Sequence, residues 1–336
     1  MGDIGLVAGM ATAIGSLPHR DARVAASLVL RCLPDLPAAP QLPHRTPLEG
    51  MTAQWATAVP GVVVHADGTI SLGALDEVDA AAPLDPVFTR ETHGSLLTFL
   101  EVAAAQSPPL RRVKVQMTGP LTLGVALVDA GMRAEIAFSL AARVARAWAL
   151  AIEDLTARML PGVRLVLFFD EPSLVSWRGA EGPVEREVAI DLLSSSLAAT
   201  RAITGVHVCG SGDVRLALDA GPHVVHFDVG ATDLDDAVAM SRFLEGGGWF
   251  AWGAIPTHRP VGEHALPLWK GLLETWCDLT RRGCDPARLR TQALIAPACG
   301  LAGHGESQAE HAMLLAREIG GRVHGHAAAC KLAVGA

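Results

Sequence analysis

The chain has no tyrosine, few charges and no long uninterrupted apolar run, and each lack narrows what the chain can be. Charged residues make up 18% of the 336 residues, net charge is −8, and Lys and Arg form no dense cluster. Nucleic-acid partners, which call for a basic stripe, are therefore not expected. No stretch reaches the roughly 18 uncharged apolar residues that a membrane span needs. The uncharged segment from Ile4 to Pro18 follows Asp3 rather than Lys or Arg, unlike a secretion signal, so a cytoplasmic location is the default. Neither G-x-G-x-x-G at a strand-to-helix turn nor a P-loop pattern occurs. Repeats, heptads and low-complexity tracts are also missing. The six cysteines are scattered, which is no disulfide framework. In a reducing compartment such thiols are buried, catalytic or metal-binding. The missing tyrosine reflects composition alone.

Half of the residues are apolar, ample for a large core. A Pro-rich stretch from Pro34 to Pro47 predicts a loop, because proline fixes φ and removes a backbone donor. Val62 to Leu72 predicts a hairpin turning at Asp67-Gly68. From about residue 113, short apolar runs alternate with helical stretches. The runs are Val113–Met117, Arg164–Phe169, Val206–Cys209, Val224–Asp228, Trp249–Ala254 and Gln292–Ala296. The helical stretches include Met132–Met159, Val188–Ala202 and Leu266–Arg282. Such alternation implies parallel strands joined by helical crossovers. With Ala11–Ser16 as a first strand and one more from residues 20–110, eight units close into a (β/α)8 TIM barrel occupying residues 1–336 as one domain. A doubly wound open sheet is the alternative. Residues from about 324 onward read as a flexible tail.

In a barrel enzyme the chemistry lies at the C-terminal ends of the strands. Here those ends carry Ser16, Asp170-Glu171, His207-Val-Cys209, His226-Phe-Asp228, His258 and Cys299. His207 and Cys209, two apart on a strand, leave the same face. Imidazole and thiolate together favour zinc. Cys299 ends the last strand and can reach the same mouth, and His226 and Asp228 are rival fourth ligands. The plainer alternative makes His207 a satisfied core histidine and Cys209 an inert thiol. Likewise Asp170-Glu171-Pro172 fits a helix start, Ser16 a turn, and His258 an exposed loop. His324, His326 and Cys330 could mimic a metal site, whereas Cys277 and Cys284 flank a helix end and read as structural.

Taken together, Ile14-Gly-Ser-Leu-Pro18, Met117-Thr-Gly-Pro-Leu-Thr122, Asp170-Glu-Pro-Ser173, His207-Val-Cys-Gly210 and Ala298-Cys-Gly-Leu301 resemble the catalytic barrel of cobalamin-independent methionine synthase. The motifs occur in the family's order and span roughly residues 11–320. The resemblance implies a zinc-dependent methyltransferase that passes a methyl group to homocysteine or a similar thiol, forming methionine. It places the zinc ligands on His207, Cys209, Asp228 and Cys299. It places the holder of the substrate amine on Asp170, with Glu171 beside it, and a residue near the substrate carboxylate on Ser16. His258 becomes the acid that protonates the departing group of the methyl donor.

Three departures accompany the resemblance. Asp228 stands where the family has Glu, one methylene shorter. Pro256 stands where the family has an Asp two residues before the histidine. The chain also has no room for the family's second, folate-holding barrel, so either methyltetrahydrofolate or a methyl-corrinoid protein is expected as donor. Other readings are a corrinoid-dependent methyltransferase for another thiol, or a zinc- or thiol-binding barrel without turnover. A porphyrinogen decarboxylase shares the broad fold, but would need arginines around its pocket and no His-x-Cys.

Overall fold

The computed structural model describes residues 4–73, 83–178, 182–231, 234 and 236–334. The expected hairpin is present: β1 (Val62–Val64) pairs antiparallel with β2 (Ile70–Leu72) around Asp67-Gly68. Six further strands form one parallel sheet in chain order. They are β3 (Arg112–Thr118), β4 (Arg164–Asp170), β5 (Ile203–Val208), β6 (Val224–Asp228), β7 (Trp249–Ile255) and β8 (Ala293–Pro297). Each falls within a few residues of an expected run. Buried on both faces, they read as continuous apolar segments.

The helices are α1 (Ala22–Cys32), α2 (Met51–Ala56), α3 (Gly94–Ala104), α4 (Pro120–Asp129), α5 (Ala134–Met159) and α6 (Arg186–Leu197). They continue with α7 (Val214–Asp219), α8 (Ala237–Glu245), α9 (Ala265–Arg281), α10 (Pro286–Thr291) and α11 (Glu306–Val334). Aspartates at positions 21, 213, 236 and 285 start α1, α7, α8 and α10 by accepting exposed backbone N–H groups. The outward residues of the strands, such as Leu165, Leu167 and Phe169 of β4, join the main core with the helices. The inward residues Val166, Phe168, Ile203, Val224, Ala251 and Leu294 form a second, inner cluster with Leu6, Met10 and Leu36.

Two expectations are corrected. Ala11–Ser16 is not a regular strand, and the described residues between 20 and 110 add none to the main sheet. Instead two irregular extended segments link its edges by single bridges. Ala11 bridges Ile295 of β8, Ser16 bridges Gln41, and Ala38 bridges Lys114 of β3. The regular part is thus a curled six-stranded sheet of TIM-like form. Local sequence is the cause: Gly15 sits at φ +132, and Pro37 and Pro40 bring no N–H to a ladder. Carbonyls left pointing inward are met by side chains of β3. Lys114 Nζ donates to Ile14 O (3.0 Å) and Gln116 Nε2 donates to Ala39 O (2.6 Å). Gln116 occupies the space beside Gly15, where a Cβ would lie 2.0 Å from its nitrogen.

The second correction concerns the C-terminus, where the expected flexible tail is helix α11 as far as Val334. Its last expected residues, 335 and 336, lie outside the described residues. Among the described residues no helix is long and apolar enough to cross a membrane.

Beside the hairpin, His93 is fully buried among the rings of Trp55, Phe88 and Trp148. Burial pushes this imidazole down to about 3. The folded state keeps His93 neutral, so stability falls as pH drops through the unfolded value of 6.5 towards 3. At pH 5 this one residue costs about 2 kcal/mol relative to pH 7. His93→Phe should remove that part of the pH dependence, measured by urea unfolding at both pH values. An unchanged difference between the two pH values would contradict it.

Candidate metal and thiol site

Parallel register decides which side chains meet. Asp170, His207 and His226 are successive Cα partners across β4, β5 and β6, so their side chains share one inward layer. Cys209 follows two residues after His207, just past the end of β5. Cys299 follows β8. Among the described residues, the atoms of His207, Cys209 and Cys299 form the one group of three or more possible metal donors, all within 4.8 Å of one another. Cys209 Sγ lies 3.2 Å from Cys299 Sγ, which lies 3.8 Å from His207 Nε2. Neither cysteine is in a disulfide.

The two thiols titrate as a pair. The hydrogen bond from Cys209 holds Cys299 down to about 4, against burial. The same hydrogen bond, followed by burial, pushes Cys209 up. A site that stabilises one thiolate beside a second sulfur and an imidazole nitrogen fits a thiophilic ion such as zinc. Three protein donors leave a position for a substrate atom.

These donors floor a cavity of about 380 Å³ at the C-terminal ends of the strands. Its walls include Ile14, Pro43, Met51 and Pro172, together with Ser16, Gln41, Glu49 and Asp170. Among the described residues lining it there is neither Arg nor Lys. Two carboxylates of this lining each keep a buried oxygen without a partner, Asp170 Oδ1 and Glu49 Oε2. Burial pushes Asp170 up to about 6, against the pull of Lys114. Glu49 is raised by burial, against hydrogen bonds from Ser95 and the charge of Arg45. Its other oxygen takes Arg45 Nη1 at 2.7 Å and Ser95 N at 2.8 Å. The Ser16 hydroxyl packs against Gly300, beside Cys299.

Other expected site residues go elsewhere. Both nitrogens of His226, one of the two expected rivals for a fourth ligand, are engaged by other groups. Nδ1 meets His207 Nδ1 at 2.7 Å and Nε2 meets Pro297 O at 3.0 Å. Burial pushes its pKa well down. Asp228 stands apart from the three donors, with Oδ1 accepting Gly230 N at 2.8 Å. His258 is exposed on the loop after β7. His324 bonds Ala8 O and His326 packs on Trp269, and neither belongs to a metal-binding group. Cys284 is buried and donates to Ala237 O, whereas Cys277 is exposed.

Glu171 does not face the cavity. It lies one residue past Asp170, and in extended chain neighbours point opposite ways. Its fully buried carboxylate accepts Leu121 N (2.9 Å), Thr122 N (2.7 Å) and Thr122 Oγ1 (2.6 Å) at the start of α4. Burial pushes it up to about 7 against those hydrogen bonds. Gly119 is required beside it, because a Cβ there would lie 2.1 Å from Glu171 Oε1. Sequence reasoning missed Gln41 and Glu49. The one local signal at Glu49, Thr46-x-x-Glu, reads as a helix start.

No protein-family model matches the chain, and no curated protein matches it by sequence. Among solved structures it is similar to a Listeria monocytogenes protein provisionally assigned as a vitamin-B12-independent methionine synthase. The TM-score is 0.56 over 90% of this chain and 85% of that chain, at 12% identity. Identity that low shows a shared fold alone.

Adjacent carboxylates with different surroundings should respond differently. Glu171→Gln turns an amide N–H₂ towards donors and should destabilise folding by about 1–3 kcal/mol. Asp170→Asn, whose Oδ1 lacks a partner to lose, should change stability by less than about 1 kcal/mol. Urea unfolding tests both. Equal effects on stability would contradict the assignment.

Proposed function

We propose that this protein is a zinc-dependent S-methyltransferase of the methionine-synthase type, acting on homocysteine or a closely similar thiol. The observation that carries the reading is the convergence of two thiols and an imidazole nitrogen on a cavity whose lining includes two buried carboxylates, each with an oxygen that lacks a partner. In this reading the six strands and the two bridging segments are the staves of a (β/α)8 barrel. His207, Cys209 and Cys299 would hold the ion, with Asp228 as a candidate fourth ligand across the rim.

Bound zinc would supply the positive charge that lets a substrate thiol lose its proton near neutral pH. The chain's own residues do the rest. Asp170 Oδ1 and Glu49 Oε2 accept hydrogen bonds from the substrate ammonium. Ile14, Met51 and Pro43 take the aliphatic carbons and keep water off the sulfur. Ser16 and Gln41 offer polar atoms to the carboxylate end, with no cationic side chain among the described lining residues. The lack of an arginine also disfavours a porphyrinogen decarboxylase.

The methyl donor is inferred from His258. A folate leaving group needs a proton, and His258 is the expected source. Here that histidine is exposed, and Pro256 stands where an orienting aspartate would be. A methyl-corrinoid donor needs no such proton, so we favour it over methyltetrahydrofolate.

Assays should therefore show methionine formed from homocysteine with methylcobalamin as the corrinoid probe, and little with methyltetrahydrofolate. Cys209→Ser should abolish turnover. Asp170→Asn should raise KM for homocysteine about 10- to 100-fold, the loss of a charge-assisted hydrogen bond, with a smaller effect on kcat. Transfer from the folate alone would overturn the donor assignment. Tight zinc and thiol binding without transfer from either donor would make the protein a binding barrel instead.

A further inference from the structure

The hydrogen-bond chain behind the metal-ligand candidates runs His207, His226, Pro297, and its polarity can be read from one end. A backbone carbonyl only accepts, so at 3.0 Å from Pro297 O the Nε2 of His226 carries a proton. The two Nδ1 atoms of His226 and His207 are 2.7 Å apart, which allows one proton between them. His226 is only 1% exposed, and neither of its nitrogens meets a carboxylate. A positive charge on this ring would thus lie buried and uncompensated. His226 is therefore the neutral Nε2–H tautomer, and its bare Nδ1 accepts from His207 Nδ1–H. That leaves His207 Nε2, the nitrogen facing Cys299 at 3.8 Å, with a free electron pair.

We propose that His226 is a positioning residue that fixes the tautomer and ring orientation of His207, so that its Nε2 faces the Cys209–Cys299 pair ready to bind a metal ion. The inference rests on the reading of His207 as a metal ligand. In-register pairing of β5 with β6 sets the two rings side by side, with centroids 4.7 Å apart. Pro297, the last residue of β8, reaches across to anchor the far end. One strand thus contributes both the carbonyl that orients the chain and, two residues later, the thiol that shares the ion. A partner on the second imidazole nitrogen is how metal-binding histidines are commonly held, and its loss costs about 10- to 100-fold in affinity.

The test is ¹⁵N NMR of histidine-labelled protein, with and without zinc. The expected result is a proton on His207 Nδ1, a proton on His226 Nε2, and scalar coupling between the two Nδ1 atoms. A proton on His226 Nδ1, or no coupling, would overturn the proposal. Zinc affinity is then measured by chelator competition. His226→Phe keeps the bulk without the acceptor and should bind about 10- to 100-fold more weakly. His226→Asn, whose side-chain oxygen can accept the same N–H, should regain most of that loss. Wild-type affinity in the Phe variant, or no recovery in the Asn variant, would overturn the proposal. Should the Phe variant not fold, the coupling in the wild-type protein decides. If the wild-type protein takes up no zinc, the metal reading fails, while the coupling in zinc-free protein still decides the role of His226.

Discussion

The site depends on the in-register parallel pairing of β4, β5 and β6. A slip of one residue would turn each strand's inward set to the helices. Asp170, His207 and His226 would then leave the interior, and Cys209 would follow. The register is held by apolar packing on both faces: Phe168, Val166 and Ile203 inside, Leu167, Phe169 and Val206 outside. Packing of this kind leaves little choice of alignment, so three polar side chains can be kept at one level in a buried layer. Their polarity is tolerable because each has a defined use. His226 is bonded at both nitrogens, His207 at one with the other facing sulfur, and Asp170 keeps one oxygen without a partner beside the cavity.

The opposite side of the molecule meets the same need by other means. Where regular strands fail, around Gly15 and the prolines after residue 33, β3 supplies hydrogen bonds from side chains. Lys114 and Gln116 reach the carbonyls of Ile14 and Ala39 and also bond each other at 3.1 Å. Lys114 is wholly buried, with its ammonium 4.6 Å above the Phe168 ring, and burial pushes it down to about 8. The irregular segments gain from this support, because they carry Ser16 and Gln41 to the cavity wall. The departures from strand geometry thus lie where the chain lines the cavity.

Much of this was legible in the sequence because buried parallel strands write themselves as apolar runs, and polar residues ending such runs stand out. His207, Cys209 and Cys299 were found that way, and so was Asp170. Depth and direction were harder to read. His226 and Asp228 share a face, and nothing in their spacing says that the deeper one would turn to a neighbouring ring. Asp170 and Glu171 are adjacent, and only the end of the strand separates a cavity carboxylate from one that starts a helix. Glu49 was hidden because it lies in a short helical turn of a Pro-rich loop, brought to the site by contacts some fifty residues away in sequence, such as Ser95 N. The closing segments were expected as strands because their composition is apolar; their backbone does bond to the sheet edges and to each other, but only as isolated bridges, and side chains of β3 meet the carbonyls of Ile14 and Ala39.

The central claim is that Cys209 and Cys299 form part of a thiol-activating zinc centre. Zinc-edge X-ray absorption on the purified protein, with and without homocysteine, tests it most directly. The account predicts one zinc per chain with two sulfur neighbours, and a third sulfur when the thiol is added. A protein that takes up no zinc, or whose sulfur count is unmoved by homocysteine, would contradict it.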